Sequence, residues 1–237
     1  DEVPYDHWTE LVPITMTSRS PAVLVVHPSL GVKSVKELIA KAKAAPGDIN
    51  YASGPVGAAN YVAAELFKAM AGVNLTRIGY KGGGPAVNDV VAGQVKVMFA
   101  TTGASMPHIK SGRLIGLGVT SADPSPLVPD MPAIASLGVP GYSAEAIYGF
   151  WAPGKTPRTL IARLNQEAAQ VLRSPEMKAR FFASGVETVG SSPEEFAAAI
   201  KSEATKLAEV FKKAGIGPKR QGVAPQIPHS VANAEQV

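Results

Sequence analysis

Residues 49–72 read INYASGPVGAANYVAAELFKAMAG. A short apolar run (49–53) stops at the turn residues Gly54, Pro55 and Gly57, and apolar side chains then recur at helical spacing from 58 to 71, up to Gly72. Glycine closes such a helix because a residue without Cβ enters the left-handed region at little steric cost. The unit is strand, Gly-rich turn, helix, and it recurs downstream. A strand over 75–80, the turn KGGGP and a short helix over 86–92 end at Gly93; a strand over 95–100, a turn over 101–103 and a helix over 104–110 end at Gly112. Residues 114–120 add another strand and 123–132 a proline-rich surface loop. Upstream, the β-branched run 22–27, stopped by Pro28, reads as a buried strand with parallel neighbours. Ser34 and Glu37 then form a capping box for a helix that runs to Pro46. Strands alternating with helices at this spacing predict an α/β fold: a mainly parallel sheet flanked by helices.

Outside this block the texture changes. Residues 1–20 hold four acids, one arginine, Pro4 and Pro13, and read as irregular. A short helix is expected over 134–137 and a strand over 146–152, carrying Tyr148, Phe150 and Trp151. Leu160, Ile161, Leu164, Ala168, Val171 and Leu172 stripe a long amphipathic helix over 157–173, and Pro175 opens another over 175–183. A strand over 187–189 precedes a helix capped by Ser192 and striped by Phe196, Ile200, Leu207 and Val210, and 217–237 reads as a tail.

Composition removes several classes of function. With 46% hydrophobic and 18% charged residues, the 237-residue chain is globular rather than disordered, as one large domain or two small ones. The absence of cysteine excludes disulfides, thiolate metal sites and cysteine nucleophiles. The longest purely apolar stretches, such as 22–26, fall far short of the roughly 20 residues needed to span a bilayer. No basic stretch and apolar core follow Asp1, so no signal peptide is read. The net charge of +4 is scattered along helices, without the basic stripe of a nucleic-acid binder.

Chemical motifs are equally sparse. His7, His27, His108 and His229 lack metal spacing, and Tyr51 stands where the nucleophile elbow around Ser53 would need glycine. Lys81-Gly82-Gly83-Gly84 has neither a Walker ending nor GxGxxG spacing, which leaves a flexible turn or a phosphate loop. In a parallel sheet the turns at 53–60, 80–84 and 101–105 emerge at one edge, where helix N-termini favour anions. They form either one anion-friendly cleft or ordinary strand-to-helix connections.

A set of ordered motifs adds a resemblance. YASG at 51–54, YKGGGPA at 80–86, GQVKVMF at 93–99, HIKSGRL at 108–114 and VTS at 119–121 occur in the first half. PDMP at 129–132, GVPGY at 138–142, GFWAP at 149–153, RLN at 163–165 and SPEEF at 192–196 follow. In that order, from about residue 5 to 216, they resemble the solute receptors of tripartite tricarboxylate transporters, also called the Bordetella uptake gene family. The resemblance implies a two-lobed, type II-like periplasmic-binding-protein fold that closes over a small di-, tri- or aromatic carboxylate. It implies delivery of that ligand to membrane permease subunits, without catalysis and without a cofactor.

The family pattern carries the site onto Ser53, Gly54, Gly57, Ala58 and Asn60, with the neighbouring turns at Tyr80, Lys81, Gly82, Thr101 and Thr102. It also makes residues 24–144 a nearly complete second lobe. Residues 1–23 and 145–216 become parts of the first lobe, hinge and C-terminal helices, the first lobe lacking its opening βα units. Ala100 stands where many relatives carry Asp, which favours a plain carboxylate ligand over an amino acid. Two rival expectations accompany this one: an enzyme handling a phosphorylated or carboxylate substrate through the Lys81 loop, and a ligand sensor signalling to a partner protein.

Overall fold

A computed structural model describes residue 6 and residues 8–213; the tail expected over 217–237 lies outside the described residues. Among these residues seven strands form one mixed sheet in which β3-β2-β4-β1-β5 are adjacent and β6 and β7 also pair with β1. Strand β1 spans Leu11–Val26 and organises the rest. Its C-terminal part lies between β4 (Val97–Thr101) and β5 (Ile115–Val119), antiparallel to both. Its N-terminal part pairs antiparallel with β6 (Glu145–Pro153) and β7 (Glu187–Thr188). β2 (Asn50–Ser53) runs parallel to β3 (Thr76–Gly79) and to β4. The sheet is thus parallel-rich, with β1 inserted in the opposite sense.

Two expectations are corrected here. Residues 11–20 are strand rather than irregular, and the run beginning at 22 has antiparallel instead of parallel neighbours. Pro13 and Pro21 are accommodated beside register shifts and at the end of the β6 ladder, places where a missing ladder donor is tolerated.

Among the described residues seven α-helices flank the sheet: α1 (Val35–Ala44), α2 (Ala59–Ala71), α3 (Gly83–Val91), α4 (Thr102–Lys110), α5 (Arg158–Arg173), α6 (Pro175–Ala183) and α7 (Pro193–Lys213). The Ser34 hydroxyl accepts from the Glu37 amide at 3.2 Å, and the Glu37 carboxylate accepts from the Lys33 amide at 2.8 Å. α2 ends at Gly72 with φ 62, the left-handed stop legible in the sequence. No turn separates β4 from α4, because Thr101 ends the strand and caps the helix at once.

Strand periodicity divides the core in two. Leu24 and Val26 of β1 point into a cluster with Leu38, Tyr51, Phe67, Phe99 and Tyr142, while Val23 and Val25 point into one with Val87, Val90, Met98 and Val119. Phe67 lies 5.6 Å from Phe99 and 6.2 Å, edge-on, from Tyr142. Each such buried side chain contributes on the order of 1.5–3 kcal/mol, so the 22–144 block holds most of the apolar stabilisation. Around the N-terminal part of β1 the cluster is small, with Ile14, Ala152 and Ile161 at its centre.

Candidate ligand-binding site

The parallel strands β3, β2 and β4 direct α3, α2 and α4 away from one sheet edge, and none of these helices has a side-chain cap. Their N-cap residues are Ala58, Gly82 and Thr101. By contrast, Ser34, Ser174 and Ser192 cap α1, α6 and α7 elsewhere. α5, which starts after Pro157, is also uncapped but begins away from this edge. First-turn amides without an internal partner seek an external acceptor, and the helix dipole favours an anionic one.

A cavity of about 390 Å³ opens at this edge between α2, the middle of β1, β6 and α7. Gly57, Ala59 and Asn60 bring the start of α2 to it, Thr101 the β4–α4 junction, and Ser20 and Ala22 the crossing of β1. Tyr148, Glu145 and Glu203 line it from β6 and α7. A second recess of about 550 Å³ shares Ser20, Thr101 and Tyr148 and continues to Arg180 and Ser184 at the end of α6. Together they make a cleft across the waist of the protein. A larger recess of about 790 Å³ lies between α5 and α7 at the far end of β1. There Asn165 Nδ2 donates to the Ile14 and Ser191 carbonyls at 2.8 and 2.7 Å, so its amide is engaged in tying elements together.

The residues singled out from sequence separate into three groups. Gly57, Asn60 and Thr101 line the cavity, and Ala58 is the N-cap of the helix that borders it. Ser53, Gly54 and Thr102 are buried behind it in structural bonds. The Ser53 hydroxyl accepts from Arg77 Nε at 2.8 Å, the Gly54 amide donates to Asn60 Oδ1 at 3.2 Å, and the Thr102 hydroxyl donates to the Pro21 carbonyl at 2.9 Å. Tyr80, Lys81 and Gly82 belong to the β3–α3 turn and line neither recess of the cleft. Tyr80 donates to Asp89 at 2.7 Å, and burial, then that bond, push its phenol up to about 12; the Lys81 side chain is exposed.

The far wall had no signature in the sequence. Ser20, Glu145, Tyr148, Arg180 and Glu203 come from four elements widely separated along the chain, and only folding brings them to one place. Glu145 is held above the usual carboxylate range, chiefly by burial, with Glu187 and Glu203 adding to the effect and Arg19 and Lys206 opposing it. The cleft therefore combines an uncapped helix start beside Gly57 and Asn60 with carboxylates on the opposite wall. Among the described residues no three His, Asp or Glu side chains gather closely enough to hold a metal ion, and no helix is long and apolar enough to cross a membrane.

This parallel-rich fold is shared with solved periplasmic binding proteins. The chain belongs to the family of tripartite tricarboxylate transporter receptors, TctC, whose family model matches residues 1–216. BugT of Bordetella pertussis is 34% identical over 213 residues, covering 90% of this chain and 65% of BugT. The UPF0065 protein of the tcbD-tcbE intergenic region of Pseudomonas sp. strain P51 is 35% identical over 202 residues, covering 85% of this chain and 60% of that protein. The chain thus spans less than two thirds of the length of these relatives. Among solved structures, R. palustris Rpa4515 with adipate superposes with a TM-score of 0.82 at 33% identity, covering 92% of this chain and 73% of the other. The periplasmic binding protein BugD gives 0.77 at 30% identity, covering 90% and 72%.

Proposed function

We propose that this chain captures a small carboxylate, a di-, tri- or aromatic acid, in the waist cleft, as part of an extracytoplasmic receptor. The receptor acts in the periplasm and hands its ligand to the permease subunits of a tripartite tricarboxylate-type transporter. The observation that carries this reading is the meeting of the uncapped start of α2, at Gly57, Ala59 and Asn60, with Thr101 on one cavity. Similarity to Rpa4515, a protein solved with adipate, supports a carboxylate ligand. Ala100 belongs to the apolar cluster behind the sheet and lines neither recess, so its lack of a carboxylate does not bear on the choice of ligand. Within the same reading, residues 24–144 act as one lobe and 1–23 with 145–216 as parts of the other. The division of the β1 ladders between β4 and β5 on one side and β6 and β7 on the other supports it.

Thermal unfolding in the presence of adipate, citrate and benzoate tests the proposal. A ligand at one hundred times its Kd adds about 2.7 kcal/mol, a clear rise in Tm. Absence of any shift with all three acids at up to about 10 mM, where even a Kd of about 1 mM would still raise stability, would overturn it. Ser53, Gly54, Ala58, Tyr80, Lys81, Gly82 and Thr102 then divide by role: Ala58→Asp should abolish the shift, whereas Lys81→Ala should leave it intact.

A further inference from the structure

Arg77 holds the turn that presents the start of α2. It stands on β3 at the edge of the sheet, half-buried, and its guanidinium reaches across to the end of β2. Nε donates to the Ser53 hydroxyl at 2.8 Å and Nη2 to the Gly54 carbonyl at 2.7 Å. The guanidinium carbon lies 5.1 Å from the centre of the Tyr61 ring, in the first turn of α2. One planar group therefore touches the last residue of the strand, the first of the turn and the beginning of the helix. On the opposite side the turn is fastened by Asn60, whose side-chain oxygen accepts from the Gly54 amide at 3.2 Å. Gly79 leaves room for the arrangement, since a Cβ there would stand 3.2 Å from Arg77 Nη2.

We infer that Arg77 is a positioning residue for ligand capture: it fixes the 53–60 turn so that Gly57 and Asn60 meet the cleft in one geometry, and places a cation behind the anion-binding helix start. This inference rests on the proposed carboxylate-binding role for its effect on the ligand, but the clamp itself is a property of the free protein. The two donors of the fork are what fix the turn. Lysine keeps the charge but offers a single flexible ammonium, and methionine removes both charge and donors. Turning the Gly54 carbonyl toward Arg77 also occupies a dipole that would otherwise be free to repel a carboxylate.

The test compares the wild-type chain with Arg77→Lys, Arg77→Met and Gly79→Ala, using adipate as the probe. Calorimetric titration well below Tm should show Kd raised at least tenfold in Arg77→Met and severalfold in Arg77→Lys. Gly79→Ala, which crowds the guanidinium without removing it, should fall between wild type and Arg77→Met. In the same proteins without ligand, hydrogen exchange should accelerate at the Gly54 and Ala58 amides and stay unchanged in β4 and α4. An unaltered Kd in Arg77→Met overturns the inference, as does an affinity loss accompanied by uniform acceleration of exchange. If the wild-type chain binds no carboxylate, the proposed function fails, and the exchange comparison alone decides the clamp: unchanged protection at Gly54 and Ala58 in Arg77→Met refutes it.

Discussion

Glu145 is a residue whose surroundings disfavour its charge. Burial is the largest cause, and Glu187 and Glu203 reinforce it against the pull of Arg19 and Lys206. Its folded-state pKa lies above the unfolded value, so the fold prefers the protonated side chain. The associated stability is present below the unfolded pKa and is lost as pH rises through the folded one, leaving a cost at neutral pH. Glu145→Gln should therefore raise Tm at pH 7 and flatten the loss of stability between acid and neutral pH, as pH-dependent thermal unfolding would show. The same change removes a negative charge from the cavity wall and should tighten adipate binding. Gly149 is constrained by space: a Cβ would strike the Phe196 ring and the Thr15 carbonyl. Gly149→Ala should destabilise the fold by about 1–3 kcal/mol, the usual cost of overpacking, measurable by denaturant titration. At this scale residue type is legible and orientation is not. Ser53 and Thr102 stand in the turns where polar side chains suggest a ligand, yet both hydroxyls turn inward, to Arg77 and to the Pro21 carbonyl.

The helices that border the cleft trade stability for open amides. Ala58, with φ −63 and ψ 149, has the extended backbone of a normal N-cap and lacks only a side-chain acceptor. Ala58→Ser should stabilise the ligand-free protein by about 1 kcal/mol and at the same time weaken adipate binding, because the new hydroxyl would occupy a first-turn amide. Tm and Kd measured on the same variant would check this, and a rise in both stability and affinity would refute the role of those amides. Elements with local signals were readable from the chain alone. The Ser34–Glu37 box, Gly72 and the apolar run of β4 each carry their own punctuation. The N-terminal half of β1 carries none: Arg19, Ser18, Ser20 and two prolines interrupt its apolar pattern, and the partners that make it a strand lie far along the chain. The cleft shows the same division. Its helix starts are written in glycine and threonine, whereas Glu145, Tyr148 and Glu203 reach it through tertiary structure alone.

For the whole molecule, β1 belongs to the ladders on both sides of the waist, so one continuous strand couples the two sides. Unfolding should therefore be a single transition. Trp151, 5.0 Å from Phe196, reports on the β6–α7 side, while far-UV circular dichroism reports on all helices. The two should give one midpoint in urea; separate midpoints would show that the waist does not couple the two sides. The position of β1 also bears on synthesis. Among the described residues its earliest ladder partner along the chain is Val97, opposite Val26, and its last is Thr188, opposite Ser18. At about 5–20 residues per second, a ribosome leaves this strand without these downstream partners for seconds, before its Val23–Val26 run can pair with them. Pro13, Arg19 and Pro21 break the stretch on its N-terminal side with missing amide donors and a charge, the means by which unpaired strands resist aggregation. The residues that disguise β1 in the sequence are thus the ones that protect the nascent chain until its own partners arrive.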